Sequence, residues 1–511
     1  MKRKWAIATP APNLTAYEHL IPWAQHALRR RGLLLPPDPL VLVHLVGQIL
    51  YSRDIAPENA LTYLEGAVEG GNPLDLKGVG EAVERVRRAI HAAEPIAVYG
   101  DYDADGISAT ALLVTVLRSL GARVMGYIPH RVDEGYGLNN DSLRVLKAQG
   151  IQLVITVDCG VRAAAEAAYA RSIGLELIVT DHHAVPPTLP DAIVINPRQP
   201  GCPYPFKDLC GVGLAYKLAC ALLTTPDVAP SVEMSKRPPA ESLLDLVALG
   251  TVADIVPLRG ENRALVRQGL ALLNKPQRVG VQALLAQARI KPGHVQSGTI
   301  AFALGPRLNA AGRMDHAKLS FDLLMSTDRP AAEALAVKLD EVNRERQEAT
   351  RTCVEQARAT ILVSQKDAPV IVVADEGYPQ GIVGLVAGRL IDEFYRPALV
   401  VERGPETSKG SARSIPEFNI IEALDQCADL FVKHGGHKAA AGFTLNTSRL
   451  SDLQSRLTDI ARQQFDGQPP EPSIHADAVV SFRELDRPLL FLLEQLEPCG
   501  AENPPSRFVS R

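Results

Sequence analysis

Tyr99-Gly-Asp-Tyr-Asp-Ala-Asp-Gly106 sets three aspartates, Asp101, Asp103 and Asp105, two residues apart directly after the apolar, strand-like run from Ile96 to Tyr99. Carboxylates this close repel one another and lose hydration in a cleft, and a bound divalent cation is the common remedy. Two further groups answer the triplet, Asp158 and Asp181-His182-His183. Taken singly, an aspartate after a strand is often a helix N-cap, and a lone histidine is often a surface or core residue. Together they read as the metal site of a hydrolase.

Strands and helices alternate outward from the triplet. Ser108 to Leu120 is apolar at helical spacing and closed by Gly121, and Val124 to Ile128 is strand-like. Asp141 to Gln149 reads as a helix stopped by Gly150, Leu153 to Val157 as a strand, Arg162 to Ser172 as a helix and Leu175 to Thr180 as a strand. This alternation predicts an α/β fold with a doubly wound parallel sheet. Ligands of such sheets sit beyond the carboxyl ends of the strands, where all three motifs fall.

Hard cations such as Mn²⁺ or Mg²⁺ favour carboxylate oxygens, and an added imidazole tilts the choice toward Mn²⁺. Two ions roughly 3.5–4 Å apart can share bridging carboxylates, activate water and neutralise charge on a phosphoryl group. Asp103, Asp105 and Asp158 are the candidates to lie near both. A further carboxylate is available in Asp254, within Leu249-Gly-Thr-Val-Ala-Asp-Ile-Val-Pro-Leu258, at the end of an apolar helix beginning near Ser242.

Length and composition set the limits. With 511 residues and 46% hydrophobic content, the chain should form two or three domains with real cores. Its 7 cysteines form no Cys-x-x-Cys pair, which argues against a zinc knuckle and suits a reducing cytosol. The strongest apolar run, Leu40 to Leu50, is interrupted by His44 and Gln48, so a soluble, cytoplasmic protein without a membrane partner is expected. A net charge of −4 does not suggest a nucleic-acid partner, although bound cations would offset the clustered carboxylates; with aromatics at 5%, phosphates would have to carry recognition of any strand.

The expected organisation is a mostly helical region over 1–90, a catalytic domain over 91–330, a connecting helix over 331–367, a smaller α/β domain over 368–466, and a final segment over 467–511. The connecting helix is read from Leu335, Leu339, Val342, Ala349 and Cys353 at mostly three- and four-residue spacings. The smaller domain contains Gly381-Ile-Val-Gly-Leu-Val-Ala-Gly-Arg389, Gly410-Ser-Ala-Arg-Ser414 and Gly435-Gly-His-Lys-Ala-Ala-Ala-Gly442. Glycines beside Ser, Arg and His suit a backbone that approaches phosphate closely, although turn geometry explains the glycines equally well.

These blocks, in this order, closely resemble the DHH phosphoesterase superfamily, and the chain is most similar to its single-strand-specific exonuclease branch over about residues 70 to 505. The shared motifs also include Arg131-Val-Asp-Glu-Gly-Tyr-Gly-Leu138, Gly211-Val-Gly-Leu-Ala-Tyr-Lys217 and Gly305-Pro-Arg-Leu-Asn-Ala-Ala-Gly-Arg-Met314. The resemblance implies Asp101, Asp103, Asp105, Asp158, His182 and Asp254 as metal ligands. It also implies catalytic roles for Asp105, Asp158 and His183, the last at the transferring phosphate or its leaving group. Where some relatives carry a histidine just ahead of the triplet this sequence has Tyr99, and Asp101 is the natural substitute.

By the same resemblance the smaller unit is a DHH-associated substrate domain. Ser411 and Arg413, with Arg131 and Arg307, are candidates to hold a terminal phosphate, and Asn309, Arg313 and His437 to line the strand. Glu497-Pro-Cys-Gly-Ala-Glu-Asn-Pro-Pro505, which follows a strand-like run from Ala476 to Phe482 and an apolar stretch from Leu489 to Leu496, resembles a Pro-Phe-Gly-x-Gly-Asn-Pro segment near the family's oligonucleotide-binding fold. Cys499 and Glu502 depart from it, and a partial, truncated or divergent barrel is expected over 467–511. The implied activity is 5′-to-3′ hydrolysis of single-stranded DNA to mononucleotides, in repair and recombination, with a helicase and a single-strand-binding protein as partners by analogy. A small-substrate phosphodiesterase of nanoRNase or cyclic-dinucleotide type, or a non-catalytic scaffold, are the alternatives.

Overall fold

The computed structural model describes residues 3–510 apart from 67–69, 132, 133, 136, 230 and 469, so Val132, Asp133 and Tyr136 of the Arg131–Leu138 motif lie outside the described residues. Two compact units emerge: Ile7–Glu341 with Ala476–Arg511, and Met1–Ala6 with Val342–His475.

The first unit is built on a five-stranded parallel sheet of β1 (Ile96–Gly100), β2 (Val124–Tyr127), β3 (Leu153–Val157), β4 (Glu176–Thr180) and β5 (Ile193–Ile195), in the order β2-β1-β3-β4-β5. Every residue of β1 and β3 is buried, because helices cover both faces of a parallel sheet. The chain runs outward from β1 to β2 and then returns to lay β3 on the other side. That reversal opens a crevice beyond the carboxyl ends of β1 and β3, the ligand position of this strand order.

Helix α1 (Ala104–Ser119) follows β1 and starts four residues ahead of the predicted Ser108, because Asp103 caps it. Asp103 Oδ1 accepts the N–H groups of Asp105 at 3.0 Å and Gly106 at 3.1 Å. Apolar spacing could not reveal this start, since the first turn carries the acidic candidate ligands. Helices α2 (Gly211–Thr224) and α3 (Leu244–Ala253) share one core with α1, which includes Leu112, Leu214 and Leu246.

In the 1–90 region the helices Ile21–Arg29, Pro39–Ser52 and Pro57–Glu65 form a separate core, and a short strand, Lys4–Ile7, precedes them. Leu489, Leu492 and Leu496 complete that core, the first two from helix Arg487–Glu494. The partial barrel expected over 467–511 is represented among the described residues by short paired strands and one helix. The single strand expected over 476–482 is two, broken at Asp477: Ser473–Ala476 pairs with Lys4–Ile7, and Ala478–Val480 pairs in parallel with Phe508–Ser510. Asp477 breaks the run because its carboxylate accepts the Ser52 hydroxyl at 2.9 Å and the Arg507 N–H at 2.8 Å. Among the described residues the apolar side chains of this stretch fill a helical core, and no barrel assembles.

A 36-residue helix, Arg329–Ser364, carries the chain onward, starting two residues before the expected 331 and ending three before the expected 367. The second unit holds a five-stranded sheet of β6 (Ile371–Asp375), β7 (Ala398–Glu402), β8 (Thr407–Arg413), β9 (Phe431–His437) and β10 (Ala440–Asn446), in the order β9-β10-β8-β7-β6. Only β6 and β7 pair in parallel; the rest are antiparallel. Among the described residues no helix is long and apolar enough to cross a membrane.

Candidate metal centre

The crevice beyond β1, β3 and β4 gathers the acidic motifs. Asp101 follows β1, Asp103 and Asp105 sit at the start of α1, Asp158 follows β3, His182 and His183 follow β4, and Asp254 ends α3. One ligand atom from each of three residues lies within 4.8 Å of the others in three overlapping trios: Asp101, Asp103 and Asp158; Asp105, His182 and Asp254; and Asp158, His182 and His183. His182 Nε2 is 3.1 Å from Asp158 Oδ1 and 3.6 Å from Asp254 Oδ2, which ties the trios together. All six sequence-predicted ligands thus converge.

Backbone geometry makes the convergence possible. Asp158 takes a left-handed conformation, φ 63°, which aspartate tolerates better than branched residues. The amino end of α2 then packs on it so closely that a Cβ at Gly211 would lie 2.4 Å from Asp158 Cβ, so only glycine fits. With the helix end this near, the N–H groups of Gly211 and Val212 donate to the two Asp105 oxygens at 2.6 and 2.8 Å. The helix amino end thus stabilises a carboxylate that neighbouring acids would disfavour.

Burial, followed by the charge of Asp103, raises the Asp101 carboxyl well above the ordinary range and pushes Asp105 up to about 7. Burial and then Asp105 raise Asp158 and Asp254 well above it too. Asp181 behaves oppositely: burial opposes its charge, but the His183 hydrogen bond and charge and the Val161 N–H hold its carboxyl below the ordinary value. His183 is correspondingly raised against its own burial by Asp181.

The donor set fits a hard divalent cation. Asp101 Oδ1 and Asp254 Oδ2 are buried and accept no hydrogen bond among the described residues, an expensive state unless a cation is present. Oxygen donors with imidazole match Mn²⁺ or Mg²⁺.

Other predicted residues divide between the units. The Arg131 guanidinium stacks 4.6 Å over the Tyr102 ring and favours the charged form of Asp101, so it borders the centre. Asn309 and Arg313 lie on helix α4 (Gly305–Met314). Asn309 Oδ1 accepts the Ala104 N–H at 2.7 Å, so this residue supports the triplet turn as well as facing the site. Arg307, on the same helix, is committed to Asp340 Oδ1 at 2.9 Å and the Ala303 carbonyl at 2.9 Å. Ser411, Arg413 and His437 form a group of their own in the second unit. Arg413 and His437 both pair with Ala440 in register, and Arg413 Nη1 donates to Ser411 Oγ at 2.9 Å.

Two supporting features escaped the sequence reading. Asp181 was legible only as part of Asp-His-His; the structure makes it the residue that orients His183, through Nδ1 at 2.7 Å. The Gly211 and Val212 amides had a signal in the Gly-x-Gly opening of α2, but no sequence pattern says which carboxylate they face.

Residues 95–251 match the DHH family, N-terminal domain, and residues 367–463 match the DHHA1 domain. The chain is similar to the single-stranded-DNA-specific exonuclease RecJ of Bacillus subtilis, 38% identical over 98% of this chain and 61% of that protein. It is also similar to RecJ of Salmonella typhimurium, 36% identical over 95% of this chain and 87% of that protein. Among solved structures, RecJ of Thermus thermophilus in complex with Mn²⁺ superposes with a TM-score of 0.81 at 29% identity, covering 99% of this chain and 69% of that one. The same protein with Mg²⁺ gives 0.75.

Proposed function

The chain belongs to the RecJ family, and on that premise we propose that it is a metal-dependent exonuclease that hydrolyses single-stranded DNA to mononucleotides in the 5′-to-3′ direction. The convergence of Asp101, Asp103, Asp105, Asp158, His182 and Asp254 in one crevice supports this most directly. These are the groups that would hold two ions, Mn²⁺ or Mg²⁺. Bound there, the ions would supply charge neutralisation at the phosphoryl oxygens and a water of lowered pKa.

The remaining work falls to protein groups. His183, oriented by Asp181, is suited to stabilise or protonate the leaving oxygen. Arg131 and Arg313 border the triplet with charge for the scissile phosphate. Arg413, held by Ser411, and His437 offer donors for a terminal phosphate, and a planar guanidinium can grip two of its oxygens. Work in the cytoplasm, in repair and recombination alongside a helicase and a single-strand-binding protein, belongs to the same proposal and agrees with seven free cysteines.

The test is a Mn²⁺-titrated digestion of strands labelled at either end, run beside a dinucleotide. Release of mononucleotides from the 5′ end of the long strand is the expected result. Preference for the dinucleotide would favour a small-substrate phosphodiesterase, and no hydrolysis at any Mn²⁺ concentration a scaffold.

A further inference from the structure

The segment from Gln495 to Asn503 is held by a dense set of buried hydrogen bonds. The fully buried Arg263 donates to the carbonyls of Leu496 at 2.7 Å, Pro498 at 3.2 Å and Gln495 at 3.2 Å. Asn503, also fully buried, returns Nδ2 to the Pro498 carbonyl at 2.6 Å and accepts Arg53 at 2.6 Å. A buried guanidinium thus ties three carbonyls of this loop to the Tyr63 carbonyl, which its Nε reaches at 3.3 Å, and so restrains the loop.

This loop grips two of the chain segments that lead to the candidate metal centre. The first is the exit from Asp254. Ile255 leaves α3 in a left-handed conformation, φ 62°, which a β-branched residue adopts only when its surroundings impose it. Three residues later the Leu258 N–H donates to the Ala501 carbonyl at 2.9 Å, and Arg259 Nε donates to the Glu502 carbonyl at 3.0 Å. Gly500 lies against Leu258, where a Cβ would come 2.7 Å from Leu258 Cδ1. The second is the approach to α4. Ser297 Oγ bridges Glu497 Oε2 at 2.8 Å and the Cys499 carbonyl at 2.6 Å, eight residues before the helix of Asn309 and Arg313 begins at Gly305.

We propose that this loop is a positioning clasp for the metal centre, with Gly500 as its positioning residue: by seating Leu258 and Ser297 it sets where Asp254 and Asn309 stand. The inference rests on the metal-dependent reading above. Groups one step behind metal ligands commonly govern affinity by holding the ligands in place.

Gly500→Ala tests it in the full chain. The φ of Gly500 is not positive, so alanine adds a contact with Leu258 without backbone strain. Heat-detected Mn²⁺ titration should show the dissociation constant raised about tenfold. The metal-free melting temperature should stay near wild type, and the KM for a single strand at saturating Mn²⁺ should be unchanged. Arg259→Ala, at a partly exposed position, should shift Mn²⁺ affinity the same way by about twofold. A purely structural loop would lower melting temperature without moving Mn²⁺ affinity. Wild-type affinity in both folded variants overturns the clasp; should Gly500→Ala fail to fold, wild-type affinity in Arg259→Ala does so alone. If the unaltered chain binds no Mn²⁺, the metal-dependent reading falls and the clasp with it.

Discussion

His183 Nδ1 lies 2.7 Å from Asp181 Oδ1, and the same carboxylate also takes the backbone N–H groups of Val161 at 2.9 Å and His183 at 3.1 Å. The acid is anchored by the backbone, so it cannot follow the ring; the ring must follow it. The arrangement puts the Nδ1 proton toward Asp181 and fixes which nitrogen is left for chemistry.

Asp181→Asn keeps the shape and removes the charge. Single-turnover cleavage at saturating Mn²⁺ should slow by about 10- to 100-fold, with a smaller change in Mn²⁺ affinity. An unchanged rate would take His183 out of the reaction.

Asp158→Asn should abolish Mn²⁺-dependent cleavage and yet raise the metal-free melting temperature near neutral pH. Burial and the neighbouring acids raise this carboxyl, so its charge works against the fold when no cation is bound. Asparagine is the informative substitute, because it tolerates the φ of 63° that alanine would strain. A lower melting temperature would show that the Asp158 charge contributes to folding rather than opposing it.

The sheet was legible because β1, β3 and β4 are short apolar runs separated by helices that end near glycine, and each is followed by a conspicuous acid. The convergence of the candidate metal ligands was legible for the same reason, since strand ends bring sequence-distant residues together by rule. Two things were not legible. The start of α1 was hidden because Asp103 serves as cap and candidate ligand at once, masking the apolar periodicity. The fate of 467–511 was hidden because strand-forming and helix-filling apolar residues look alike over short runs; Leu489 and Leu492 joined the amino-terminal helices through long-range packing that no local pattern encodes.

Metal removal should invert the usual pH dependence of stability. The Asp105 carboxyl, at about 7 when folded, returns to about 3.9 in an unfolded chain, so between these values the native state binds more protons. Stability from this group is therefore complete below about 4 and lost as pH rises through about 7. Asp101, Asp158 and Asp254 act in the same direction. The metal-free melting temperature should fall from about pH 5 to 7, and Mn²⁺ should reverse the slope, because the ion displaces those protons. A flat metal-free profile would mean that the carboxylates do not interact as closely as their distances indicate.

Arg413→Ala should weaken recognition of the strand's end more than the chemistry. The guanidinium is held by Ser411 Oγ at 2.9 Å and by the Ala412 carbonyl at 2.9 Å, so its orientation is set before any ligand arrives. Losing a preorganised, charge-assisted contact should raise KM for a 5′-phosphorylated strand by about tenfold, with kcat altered much less. A strand bearing a 5′ hydroxyl should lose little, since it lacks the charge that Arg413 would grip. Lysine should restore only part of the difference, because a point charge cannot reproduce a two-oxygen grip. Equal losses on the two strands would place Arg413 along the backbone path rather than at the terminus.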